Sequence, residues 1–352
     1  MPVRGLLQHQ GRDRVGLGHD GEGAVVVEPF QYVHARSVGE AVGLLARHPG
    51  AEVIAGATDL TTLMRDGIRR PSHLIDVNGL ALDEISALPD GGLRIGALCR
   101  NATDDQRIVR GFPALVEALR SGASPQIRNR ATFGGNLLQR VRCPYYRQPE
   151  FACNRRDPGS GCAALDGDSS RHAILGTSGS CIAVHPSDCA VALQALDAEV
   201  VVRGPRGERR IPIDAFHRLP GRTPEREVML RDDEIILAVE LPGRASSAHS
   251  HYVKFRERAS YAFALASAAV AVEVRGGTVR SARIALGGVA PKPWRARAAE
   301  HALLGRPFGK DAIDAAARAA TKGAAPRPDN TYKVSLAQAV VQRALTELGG
   351  AR

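Results

Sequence analysis

Four thiols are concentrated in one part of this chain. Cys143, Cys153, Cys162 and Cys181 have nine, eight and eighteen residues between successive members. The first three fall in the run from Arg142-Cys143-Pro144-Tyr145-Tyr146 to Pro158-Gly159-Ser160-Gly161-Cys162, which is too rich in Pro, Gly and Arg to be a helix or a core strand. Four thiolates suit a [4Fe–4S] cluster or a four-cysteine zinc site. The tight C-x-x-C pairs of ferredoxins and zinc ribbons are absent, so spacing alone admits zinc, iron–sulfur and disulfides. Composition adds that Gly159, Gly161, Gly176 and Gly179 let the backbone wrap a centre, while Arg142, Arg155 and Arg156 can offset an anionic one. The other two thiols read differently. Cys99 sits in a strand-like segment and Cys189 in a helix, both as buried apolar thiols, with Cys189 the reserve fourth ligand.

Two small-residue segments have the chemistry to hold a phosphate-bearing group. Glu52-Val53-Ile54-Ala55-Gly56-Ala57-Thr58-Asp59-Leu60 runs from a strand through a turn into a helix start, where backbone N–H groups can approach a pyrophosphate. Any strand-to-helix turn can use Gly and Ala, so this segment is weak evidence by itself. In the second, Thr132-Phe133-Gly134-Gly135-Asn136, the glycines are flanked by hydrogen-bonding side chains, a backbone able to lie against a flat or extended ligand. Two such segments in one domain favour a site. A third pattern, Gly16-Leu17-Gly18-His19-Asp20-Gly21, fits G-x-G-x-x-G but has neither a strand before it nor a helix after it.

The elements that must position these residues follow from periodicity. Ser37-Val38-Gly39-Glu40 reads as a capping box opening a helix to about Arg47. Strands are expected at 52–55, 73–77, 93–96, 198–202, 210–213 and 234–241, with helices at 59–65, 113–119 and 186–196. Beyond a small polar stretch at 244–250, strands at 252–256, 264–274 and 279–286 precede helices at 293–304, 310–320 and 332–348, the order of an antiparallel sheet with a helical layer. The fold class is α+β, with a leader at 1–26 expected to be disordered, a domain at 27–245 interrupted by an insertion at about 140–183, and a second domain at 246–352.

The chain has 352 residues, formal net charge +10, 44% hydrophobic and 4% aromatic content. Its basic residues are scattered and few aromatics accompany them, which gives no nucleic-acid surface. No run approaches a membrane span and the first residues have no apolar signal core, so synthesis in the cytoplasm is expected. Six cysteines in such a chain favour metal or redox use over a disulfide framework.

With these residues in view, the chain resembles the FAD-binding subunits of molybdenum hydroxylases, the xanthine dehydrogenase family. Ala55-Gly56-Ala57-Thr58-Asp59-Leu60 and Ala131-Thr132-Phe133-Gly134-Gly135-Asn136-Leu137 carry the likeness, supported by Leu74-Ile75-Asp76-Val77-Asn78 and His185-Pro186-Ser187-Asp188. Many members read Gly-Gly-Thr where this chain has Gly56-Ala57-Thr58. The resemblance implies a two-subdomain FAD-binding domain of the vanillyl-alcohol-oxidase (PCMH) type and a smaller C-terminal domain like that of CO dehydrogenase flavoproteins. It implies that residues 52–60 hold pyrophosphate and ribose, that 132–136 complete the diphosphate and flavin side, and that Asp188, Ile236 and Lys254 approach the cofactor. Tyr252 would face the flavin ring.

The resemblance also bears on the cysteines. Segments Arg-Cys-Pro-Tyr, Cys-Asn-Arg-Arg and Pro-Gly-Ser-Gly-Cys-Ala-Ala-Leu are similar to an insertion in bacterial aldehyde oxidoreductases whose flavin subunit carries a [4Fe–4S] cluster, which implies ligation by Cys143, Cys153, Cys162 and Cys181. The expected function is that of the flavoprotein electron-transfer subunit in a heterotrimer. A large partner with a molybdenum cofactor would oxidise an aldehyde, a small partner would carry [2Fe–2S] clusters, and an external acceptor would take the electrons. The final compartment would be the cytoplasm, or the periplasm by co-export with a partner. Another molybdenum hydroxylase, acting on xanthine, CO or an aromatic acyl-CoA, is the alternative within the family. A stand-alone flavin oxidase, with His172 or His185 as its base, is the rival class.

Overall fold

A computed structural model describes residues 27–350 of the chain. The leader at 1–26, with its Gly16–Gly21 pattern, lies outside the described residues.

Three sheets make the frame. The first joins β1 (Gln31–His34), β2 (Glu52–Ile54) and β3 (His73–Asp76), all parallel, in the order β1-β3-β2. Parallel neighbours need crossovers, and helices Val38–Arg47 and Leu60–Arg65 provide them. The first starts where the sequence indicates: Ser37 Oγ accepts from the Glu40 amide at 3.1 Å, and Glu40 returns a carboxylate to the Arg36 amide at 2.8 Å.

The second sheet is antiparallel. Its strands β4 (Ile85–Ala87), β5 (Leu93–Gly96), β6 (Glu199–Gly204), β7 (Gly207–Pro212) and β8 (Ile235–Leu241) run in the order β4-β5-β8-β6-β7. Every residue of central β8 is buried because both faces are covered. Val200, Val202, Ile236 and Val239 pack with helices Pro113–Ser121 and Asp188–Ala195; Val201, Ile235 and Leu237 face the first sheet and its helix. The chain leaves this sheet after Gly96 and returns to it at Glu199, and that excursion contains the four clustered cysteines.

The third sheet, β9 (Ser250–Phe255), β10 (Ala266–Arg275), β11 (Thr278–Gly287) and β12 (Trp294–Arg295), is antiparallel in the order β12-β11-β10-β9. Helices Arg297–Leu303, Lys310–Ala319 and Tyr332–Gly350 cover one face. Tyr252, Ala269 and Ala285 on the other face join the core of the first domain, so the two parts share a packed boundary.

Two local expectations change. The helix expected from Pro293 starts only at Arg297, because Trp294 and Arg295 first pair with Leu286 and Ala285 at the edge of β11. Phe133–Leu137 is a short helix rather than an open loop, capped by Thr132 Oγ1 accepting from the Gly135 amide at 3.2 Å. No helix among the described residues is long and apolar enough to cross a membrane.

Candidate functional site

A cleft of about 980 Å³ opens where the parallel sheet, the antiparallel sheet and β9 meet. It lies beyond the carboxyl end of β2, the position at which open α/β sheets bind ligands. Residues 52–60 form one wall; Thr132, Gly134, Gly135 and Asn136 form another. Asp188, Ile236 and Lys254 also line it.

The two glycine segments touch each other. A Cβ on Gly56 would come within 2.3 Å of the Arg130 carbonyl oxygen, so Gly56 is what lets the 55–60 turn close against the chain leading into 132–136. Gly134 serves a similar purpose: its amide donates to Ala97 O at 2.9 Å, and an added Cβ would lie 3.1 Å from that of Ala97. These glycines bring backbone to backbone and thereby shape the cleft. Ala57, at the same turn, has φ of 62°, a left-handed conformation that favours glycine.

Side chains expected to contact the cofactor divide into two groups. Asp59 lines the cleft, yet its carboxylate is already engaged by the Arg140 amide at 2.7 Å and by the guanidiniums of Arg142 and Arg147, each at 2.9 Å. It fastens the cysteine-bearing segment to the turn, and Glu52 is held by Arg69 at 2.6 Å. Phe133 is fully buried in the domain core. Tyr252 is also turned away from the cleft wall, contrary to the expectation that it faces the flavin: it is buried, and its hydroxyl donates to Asp188 Oδ1 at 2.6 Å. Burial and the Asp188 carboxylate both push that phenol well above its usual range. Lys254 Nζ lies 2.7 Å from Asp188 Oδ2, a pair with side chains 3% and 9% exposed. Asn136 Oδ1 accepts from Ser187 Oγ at 2.6 Å, tying the second segment to the cap of helix Asp188–Ala195.

The cleft suits a large polar cofactor on structural grounds. Asn101 Oδ1, His185 Nε2 and His217 Nδ1 are buried atoms of cleft-lining residues without a hydrogen-bond partner among the described residues. Burial, and then the neighbouring His217, hold His185 well below the ordinary imidazole range, so it is neutral at physiological pH. A bound group can satisfy such atoms at little cost. Long-range packing supplies residues that the sequence reading passed over: Arg140, His217, Glu227, Tyr261 and Phe263 all line the cleft. Phe263 lies under the Arg142 guanidinium, 5.0 Å from ring centroid to carbon. None had a local signal, since each comes from an irregular segment.

The cysteines converge. Cys143, Cys153, Cys162 and Cys181 surround one small internal cavity, and Cys153 and Cys162 pair as an antiparallel bridge. Cys99 and the reserve candidate Cys189 are buried and are not among the residues around it. His172 Nε2 lies 3.2 Å from Cys143 Sγ, and Arg155 Nη2 lies 3.5 Å from Cys181 Sγ. Burial first, with Cys181 and Cys153 nearby, pushes the Cys143 thiol up to about 12. Among the described residues no three His, Cys, Asp or Glu are grouped as ligands of one ion. The cavity itself is only about 10 Å³. The four thiols match a four-thiolate centre in kind and number, while the space between them is smaller than such a centre.

Comparison with known proteins agrees with this architecture. Residues 28–244 match the family described as FAD binding domain in molybdopterin dehydrogenase, and residues 250–348 match the CO dehydrogenase flavoprotein C-terminal domain. The chain is 47% identical to the aldehyde oxidoreductase FAD-binding subunit PaoB of Escherichia coli, over 91% of this chain and 98% of that protein. It is 30% identical to the carbon monoxide dehydrogenase medium chain of Hydrogenophaga pseudoflava, over 90% and 96% respectively. The solved structure of carbon monoxide dehydrogenase from Hydrogenophaga pseudoflava superposes with a TM-score of 0.72 over 91% of this chain and 97% of that one. A cleft built from two touching glycine segments, in a chain whose two parts match these two families in this order, identifies the protein as a member of the family of FAD-binding medium subunits of molybdenum hydroxylases.

Proposed function

We propose that the chain is the flavoprotein electron-transfer subunit of a heterotrimeric molybdenum aldehyde oxidoreductase, carrying FAD in the cleft and a [4Fe–4S] cluster on Cys143, Cys153, Cys162 and Cys181. The observation that carries the aldehyde assignment is the 47% identity, across nearly the whole chain, to a protein named as an aldehyde oxidoreductase subunit. The oxidation itself belongs to a large partner with a molybdenum cofactor, and a small partner with [2Fe–2S] clusters lies between. FAD, when bound, supplies the ability to accept electrons singly or in pairs and to deliver them to an external acceptor.

This chain's residues bind and orient. The 55–60 turn presents backbone N–H groups to the pyrophosphate, and the 132–136 segment, whose glycine amides are taken within the protein, presents its small side chains and Asn136 to the flavin side. Lys254 and Asp188 compensate each other in the wall at 2.7 Å, so neither brings an uncompensated charge to the cofactor. Neutral His185 and His217, with burial placing His217 at about 4, offer ring nitrogens without adding charge. The domain assignment is 27–245 for the FAD-binding part and 246–352 for the C-terminal part. Assembly takes place in the cytoplasm, with the finished complex there or in the periplasm.

Co-purification of the chain with its partners, followed by FAD and iron determination and an aldehyde-dependent reduction assay, tests the reading. The expected result is one flavin and four irons on this chain, with activity only in the complete complex. Aldehyde oxidation by the isolated chain would point to a stand-alone oxidase. Turnover of xanthine or CO in place of aldehydes would move the complex to another branch of the family.

A further inference from the structure

Beside the cysteine cavity two arginines share one carboxylate. Arg155, with a side chain 4% exposed, pairs with Glu227 at 2.9 Å, and Arg140 pairs with the other oxygen of the same carboxylate at 2.8 Å. Arg140 keeps solvent contact, its side chain being 27% exposed, so Arg155 is the buried cation of the two, and arginine is not deprotonated in proteins. Such a charge is costly unless an anion lies beside it. The group that Arg155 reaches with its other terminal nitrogen is Cys181 Sγ at 3.5 Å, and its Nε has no partner among the described residues. Arg155 thus shares its one carboxylate with Arg140 and turns its remaining donors toward the cysteine cavity, where an anionic thiolate centre would complete its ion pairing.

We propose that Arg155 is the counter-charge of the cysteine centre and sets its reduction potential, with Glu227 determining how much of that charge the centre feels. The inference rests on the iron–sulfur reading of the four cysteines. Reducing a thiolate-ligated cluster by one electron adds one negative charge, and a fixed buried cation next to a ligand favours that added charge. Arg155 is thus a positioning residue, acting on the centre through Cys181 and the local field. Glu227 lies between it and Arg140, on the wall of the flavin cleft.

The test uses the complete complex, prepared as wild type and with Arg155→Gln, Arg155→Lys or Glu227→Gln in this chain. Each preparation is assayed for iron and FAD per chain and then titrated with a chemical reductant and mediators, the cluster being followed by EPR. Arg155→Gln is expected to shift the cluster midpoint to more negative potential, Arg155→Lys to stay near wild type, and Glu227→Gln to shift it to more positive potential. Loss of iron in Arg155→Gln with retention in Arg155→Lys also supports the counter-charge. A role in packing alone predicts no such opposition of signs. Equal potentials in all iron-loaded variants, or iron loss in both Arg155 variants with Glu227→Gln at the wild-type potential, would overturn the proposal and leave the cluster assignment standing. A wild-type complex with no iron beyond that of the small partner's [2Fe–2S] clusters would overturn both.

Discussion

The 55–60 turn and the 140–183 segment lie against each other and are built by different means. The turn follows a strand of a parallel sheet, closes on Arg130 through Gly56, and is fixed by bonds such as that from the Asn78 amide side chain to Ala55 O at 3.0 Å. The cysteine segment has only a four-residue helix, a 3-10 turn and isolated bridges. Charged side chains hold it: Arg156 caps the carbonyls of Tyr145 and Tyr146 at 2.9 and 2.8 Å, and Lys333, fully buried, donates to the carbonyls of Arg171, His172 and Gly288. Regular structure satisfies its own polar groups, whereas an irregular buried segment must import donors and acceptors. A single substitution should therefore cost more in the second region.

The largest expected effect is at the thiols. Cys153→Ser should abolish iron binding to this chain, while Cys189→Ser and Cys99→Ser retain it, as measured by iron per chain. Retention in Cys153→Ser would remove the contrast between the regions. Next, Glu227→Ala leaves buried Arg155 and half-buried Arg140 without their carboxylate. Burial raises its pKa, but Arg140 and Arg155 more than reverse this and hold it below the usual carboxylate range. A loss of about 3–5 kcal/mol is expected from breaking a buried ion group, read by urea unfolding of the complex.

Asp59→Asn tests the joint between the regions. It removes the charge that receives Arg142, Arg147 and the Arg140 amide, for an expected loss of about 1.5–3 kcal/mol, and it should release FAD more readily on gel filtration. Unchanged flavin retention would show that the two regions are mechanically independent. In the opposite direction, Ala57→Gly relieves a left-handed alanine and should raise stability by about 1 kcal/mol, measured as a higher melting temperature with FAD bound.

The smallest effect lies outside both regions and is a control. His251, between Glu117 at 2.9 Å and Glu347 at 2.8 Å, has its pKa raised above 6.5, first by the Glu117 hydrogen bond. Its contribution is fully present below pH 6.5 and is lost as pH rises through the folded value. The carboxylates are partly exposed, which limits the contribution to about 1 kcal/mol or less. In His251→Gln, the difference from wild type should be larger at about pH 6 than at about pH 8.5 in thermal unfolding. A difference growing with pH would contradict the geometry.

Much of the frame was legible locally. The Ser37 cap, the strand–turn–helix at 52–65 and the Ser187-capped helix at 188–195 have their causes within a few residues, so the sequence patterns located them. Tyr252 shows where local reading ends. Alternation on β9 places Tyr252 and Val253 on opposite faces, but only the packing of the third sheet on helix Asp188–Ala195 directs the phenol to Asp188 rather than to the cleft. The glycines at 56 and 134 were rightly singled out, although each is required by another part of the backbone.

By itself, the sequence determined the α+β class, the two glycine segments and the family resemblance they carry, and it marked four cysteines as a set, because these depend on residue type and short spacing. Only the tertiary structure decided that the four thiols share one cavity, that Asp59 is taken by three donors of the cysteine segment, and that Arg155, Glu227 and Arg140 form one ion group across residues far apart in the chain. A buried charge is balanced by whatever the fold brings within a few ångströms, and that proximity is not encoded in any local stretch.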